Sequence, residues 1–75
     1  MNYKIDEANA ARLRNLAKVE KENIENYKKE INRLQAEKDK VSDNEEKESY
    51  LNSINLFKHV ISEKQKLIDD IEKLI

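Results

Sequence analysis

The apolar side chains of this chain form two runs, each spaced alternately three and four residues apart, and the two runs do not share a phase. Such spacing gathers residues on one face of an α-helix. The first run is Ile24, Tyr27, Ile31 and Leu34, followed by Lys38 and Val41. Its frame then predicts seam positions at Glu45, Glu48, Asn52 and Asn55, all of them polar, so the frame does not continue. The second run begins afresh with Tyr50, Ile54, Phe57 and Ile61 and extends through Lys64, Ile68, Ile71 and Ile75. Two helices are therefore expected, each burying one stripe.

The segment between the runs supports a turn. Ser42, Asp43 and Asn44 suit helix caps, and Glu45 and Glu46 suit the positive end of a new helix. Ser42 with Glu45, or Asp43 with Glu46, has the spacing of a capping box. Lys38 and Lys40 complement the end of the preceding helix. Asp6 and Glu7 suit its first turn, with Asp6 as a candidate cap. The expected fold is all-α and a single domain over residues 1–75: helix one at about 5–41, a turn at about 42–44, and helix two at about 45–75. Upstream of Ile24 the stripe is read through Leu13, Leu16 and Ala17, with Val19 widening it. Leu13 to Ile24 and Leu16 to Tyr27 are both eleven residues, which predicts a local stutter. Glycine is absent, so a left-handed helix end is expected to fall on Asp43 or Asn44.

Folding the chain back with Val41 near Tyr50 or Leu51 sets Leu34 against Phe57, Ile31 against Val60 and Ile61, and Tyr27 beside Lys64. Helix one then overhangs by roughly ten residues, a length of about 15 Å, leaving Ile5, Leu13 and Leu16 without cover. Val60, Leu67 and Leu74 run beside the second stripe and make it wider than a two-stranded coiled coil requires. An antiparallel hairpin associating into a four-helix bundle dimer accounts for both surpluses. The alternative is a single long helix of about 110 Å in a parallel coiled coil, with the phase break as a local disruption.

Composition narrows the functional classes. Charged residues are 41%, net charge is -1, and glycine, proline, cysteine and tryptophan are all absent. High charge with few aromatics also describes disordered chains, but here the Ile and Leu residues are periodic. Ordering the whole chain costs roughly 110 kcal/mol at about 1.5 kcal/mol per residue, so folding coupled to association stands as a further possibility. No apolar run near the start resembles a signal peptide, and a cytoplasmic protein without thiol chemistry is expected. The frequent Asn, Lys and Ile hint at an AT-rich coding genome, bacterial or phage.

No catalytic pattern emerges. His59 is the only histidine and falls opposite the Ile54/Ile61 seam, which makes it a surface side chain. Asp69, Asp70 and Glu72, with Glu63 further back, form a carboxylate group that nothing encloses, and Lys66 and Lys73 are spaced to pair with Asp70 and Asp69. Tyr27 and Tyr50 occupy seam positions. A non-enzyme is expected, with no cofactor, metal or small-molecule substrate. Residues 1–41 carry ten basic and eight acidic side chains, and residues 42–75 five and eight. The acid-free stretch 8–19 holds Arg12, Arg14 and Lys18; with Lys21 they form the candidate nucleic-acid contact of an alternative, regulatory reading. The polar faces mix both signs, which disfavours a membrane surface. The leading expectation is a protein–protein interaction module, acting as a small adaptor, assembly factor or inhibitor. It is expected to form a homo-oligomer and to bind a larger protein through Ile5, Leu13, Leu16, Leu67, Ile71, Leu74 and Ile75. A purely structural oligomerisation element is the narrower version of that reading.

Overall fold

The computed structural model describes residues 5–75, so the first four residues of the expected domain lie outside it. Two helices, α1 (Glu7–Lys40) and α2 (Asn44–Leu74), pack as an antiparallel hairpin, with no strand among the described residues. The single continuous rod is thereby excluded: Val41–Asp43 interrupt the helix, and side chains of α1 meet side chains of α2.

Local chemistry sets the helix ends. Asp6 is the N-cap of α1, and its carboxylate accepts a hydrogen bond from the Asn9 backbone N–H at 2.8 Å. Glu7 sits in the first turn, and Lys38 and Lys40 in the last, each matched to the helix dipole. Asp43, not Ser42, caps α2, accepting from the Glu45 backbone N–H at 3.1 Å. The reversal needs no left-handed residue. Val41 leaves α1 in an extended conformation (φ -93°, ψ 147°), its N–H donating to the Lys38 carbonyl at 3.3 Å. No described residue has a positive φ, and Asn44 is simply the first residue of α2. The expected left-handed position is therefore corrected, and the absence of glycine carries no cost here.

The α2 seam follows the expected stripe. Ile54, Ile68 and Ile71 are buried, and Tyr50, Phe57, Ile61 and Lys64 are half-buried between them. Ile54 and Ile68 are the most enclosed large side chains, at 1% and 0% exposure. On α1 the seam runs Ala10, Leu13, Ala17, Glu20, Ile24, Tyr27, Ile31, Leu34, Lys38 and Val41, every one buried or half-buried. That is one unbroken heptad frame, so the expected stutter is corrected. Leu16 and Val19, taken as seam residues because they are apolar, point out of it, while Glu20 points in.

Glu20 also explains the register. Its carboxylate accepts from the Lys64 ammonium at 2.7 Å, and both side chains are largely covered. Tyr27, expected beside Lys64, instead meets Phe57 with ring centroids 5.4 Å apart. A slip of one heptad sets Glu20 against Phe57 or Ile71 and leaves a covered charge unpaired, a costly arrangement. A polar pair inside a largely apolar seam thus favours one register, as single polar core positions do in coiled coils. Ile31, Leu34 and Ile54 form the central cluster, with Tyr50, Phe57 and Ile61 packed against it. In this register Leu13 is half-buried, so the uncovered part of α1 is shorter than the sequence suggested. The hairpin measures 56 × 21 × 10 Å across its Cα atoms, two helices wide and one thick.

Candidate protein-binding flank

A layer one helix thick can cover only the side chains in its seam, and everything beside the seam must face outward. The seam has two flanks. On one, Lys21 of α1 reaches Glu72 of α2 at 2.8 Å in an exposed ion pair. On the other lie the Glu20–Lys64 bridge and the tilted Tyr27–Phe57 pair, inclined at 39°. This second flank differs in composition from the rest of the surface.

Helical position assigns its borders. On α2, the three-and-four run Leu56, Val60, Glu63, Leu67, Asp70 and Leu74 lies just outside the seam on the Phe57 and Lys64 side. On α1 the matching run is Arg12, Leu16, Val19, Asn23, Asn26 and Glu30, on the Glu20 and Tyr27 side. Leu16, Val19, Leu56, Leu67 and Leu74 are all exposed, with Leu56 at 60% and Leu74 at 57%. Among the described residues, the remaining large exposed apolar side chains, Leu51 and Ile75, lie elsewhere, on the opposite flank and after the end of α2. Toward the middle of the flank a shallow cavity of about 300 Å³ opens between the helices. Tyr27 and Phe57 floor it, and Asn23, Asn26 and Glu30 line its α1 side. The Arg33 guanidinium donates to Glu30, through Nε at 3.1 Å and also through a terminal nitrogen. That hydrogen bonding, more than the Coulombic attraction, holds the Glu30 carboxyl below its ordinary range and raises the Arg33 guanidinium.

The expected contact residues separate under this geometry. Leu16, Leu67 and Leu74 share the flank and are exposed. Ile71 is buried in the hairpin's own core, and Leu13 is a half-buried seam residue. Ile5 is half-buried ahead of α1, and Ile75 is exposed at the end of α2. Leu56 escaped the sequence reading. Its signal was present, since Leu56, Val60, Leu67 and Leu74 repeat at helical spacing one step outside the stronger stripe.

Arg12, Arg14, Lys18 and Lys21 are all exposed but do not converge. Arg14, Lys18 and Lys21 lie toward the opposite flank, whereas Arg12 projects to the apolar one. Two of them face acids: Arg14 stands 3.9 Å from Glu7, and Lys21 pairs with Glu72. His59, Glu63, Asp69, Asp70 and Glu72 are exposed as well. Lys66 pairs with Glu63 at 3.2 Å rather than with Asp70, and Asp69 accepts from Gln65 at 3.1 Å. Among the described residues no group of three or more His, Cys, Asp or Glu side chains is placed to hold a metal ion. No described helix is long and apolar enough to cross a membrane. Neither a family model, nor a curated protein, nor a solved structure matches the chain, so the flank stands on its own geometry.

Proposed function

We propose that this protein is a non-enzymatic protein-binding module whose docking surface is the flank bordered by Leu16, Val19, Leu56, Leu67 and Leu74. The observation that carries this reading is segregation: among the described residues, five of the seven large exposed apolar side chains fall on one side of the hairpin. Scattered exposed leucines are ordinary on a protein surface, whereas exposed apolar side chains gathered on one side among polar neighbours suit an interaction surface. The strip is also poor in charge between Leu16 and Asn26 on α1, while the outer faces of both helices carry mixed charges throughout. Such a surface suits a helical or flat protein partner, and the module acts as an adaptor, assembly factor or inhibitor by occupying or bridging that partner.

A chemical role has less support. The cavity between the helices is shallow, and the carboxylate that lines it, the half-buried Glu30, is engaged by Arg33. Nucleic-acid binding ranks lower, because phosphate recognition needs converging cations and the four candidates diverge.

The test is substitution of Leu16→Glu together with Leu67→Glu, both exposed and outside the core. Helical content by circular dichroism should be preserved. Proteins recovered with the wild-type chain from the cells that produce it should be lost with this variant. Equal recovery of the same specific partner refutes the flank as the docking surface. Filter binding of DNA or RNA at low salt, with Arg12→Ala and Arg14→Ala as control, checks the alternative.

A further inference from the structure

We infer that the flank is covered by a second copy of this chain, related by a two-fold axis running along the length of the hairpin. In that arrangement α1 of each copy lies against α2 of the other, with the open ends together, and the result is a four-helix bundle. The inference rests on reading the flank as a protein-binding surface and names its occupant.

Surface area is the first argument. The hairpin exposes 5992 Å², whereas a compact monomer of this mass exposes about 4,800 Å². The surplus, roughly 1,200 Å², exceeds the ~800 Å² that each partner of a standard interface gives up. The surplus follows from the shape, since a layer 10 Å thick has no second layer to cover its faces.

Charge and apolar pattern choose the symmetry. Most of the flank's exposed apolar side chains lie at the open end on both helices, Leu16 and Val19 on α1 and Leu67 and Leu74 on α2, with Leu56 nearer the middle. A two-fold along the length keeps open end on open end and exchanges α1 for α2. At the level that sets Val19 on the partner's Leu67, Asn23 faces the partner's Glu63 and Leu16 the partner's Asp70, with Arg12 one turn from that carboxylate. No like charges oppose one another. The cavity floored by Tyr27 and Phe57 receives the partner's Leu56, the most exposed of the flank's leucines. A two-fold across the length instead lays each helix on its own copy. With the hairpins fully overlapped, it sets Arg12 on the partner's Arg33, a cation against a cation.

The chain contains no cysteine, which makes disulfide trapping clean. The experiment has two arms on the full chain. Sedimentation equilibrium over a concentration series should give a dimer for the wild type and a monomer for Leu16→Glu/Leu67→Glu, with helicity retained. If that variant loses its helicity, Leu74→Glu near the end of α2 replaces it and should weaken association at least tenfold. In the second arm, Val19→Cys and Leu67→Cys chains are oxidised separately and as a mixture. Only the mixture should give abundant covalent dimer. A wild type that stays monomeric overturns the inference, and so does a dimer that survives the helical charged variants or a Val19→Cys chain that cross-links to itself. A monomeric wild type whose partner capture still depends on Leu16 and Leu67 removes the second copy while leaving the flank a docking surface, so the two readings fail separately.

Discussion

Replacing Glu20 and Lys64 tests the feature that sets the register. The ammonium and carboxylate are 2.7 Å apart, with 24% and 13% of their side chains exposed. At an effective dielectric near 20, two charges about 4 Å apart attract by about 4 kcal/mol. Withdrawing both groups from most of their water offsets the larger part of that gain. The single substitutions should be unequal. Lys64→Leu strands the better-covered carboxylate and should cost about 2–3 kcal/mol. Glu20→Leu should cost about 1 kcal/mol or less, because the lysine stem can lie along the seam while its ammonium reaches water. The double Leu variant extends the apolar seam through this layer and should be more stable than wild type by about 1–3 kcal/mol. Urea unfolding followed by circular dichroism, at one protein concentration for all four chains, measures the cycle. A double variant less stable than wild type, or a coupling energy below about 0.5 kcal/mol, refutes the reasoning. The stabilised double variant should also lose uniqueness of register, visible as extra amide resonances by NMR.

Other outcomes follow from single positions. Ile68→Ala removes a fully enclosed side chain and should cost about 2–5 kcal/mol in urea unfolding; a loss under 1 kcal/mol contradicts the burial described. Asp43→Ala deletes the α2 cap and should cost about 1 kcal/mol, whereas Ser42→Ala should be close to neutral in the same assay. The Glu30 carboxyl should titrate below the ordinary glutamate range in an NMR pH series, and Arg33→Gln should raise it toward that range. Because its folded value is depressed, the small stabilisation it brings is present above the ordinary carboxylate range and is lost as pH falls through the folded value.

The two helices and the turn were legible because each rests on local signals. Spacing of Ile24 through Leu34 and of Tyr50 through Ile71 announces one face each, and Asp6 and Asp43 have the chemistry of caps. Upstream of Ile24 the error comes from following apolar side chains rather than a strict frame. Reading Leu16 into the stripe, with Val19 widening it, forces a stutter that the structure does not contain and passes over Glu20. Keeping a strict frame through Ala10, Leu13, Ala17 and Glu20 gives the observed seam, but weak and charged residues do not advertise it. The flank was half legible: Leu67 and Leu74 stood out, while Leu56 was hidden beside a stronger stripe and Ile71 looked as available as its neighbours.

By itself the amino-acid order determined that this chain is helical and that it reverses at about residues 42–44, within a residue of the observed break at 41–43, since backbone capping and helical periodicity act over a few residues. Register, the identity of the truly enclosed side chains and the segregation of spare leucines to one side were decided only by tertiary packing. The physical reason is that these depend on which charges find partners across the seam. Glu20 is tolerable inside only because Lys64, forty-four positions away, arrives beside it.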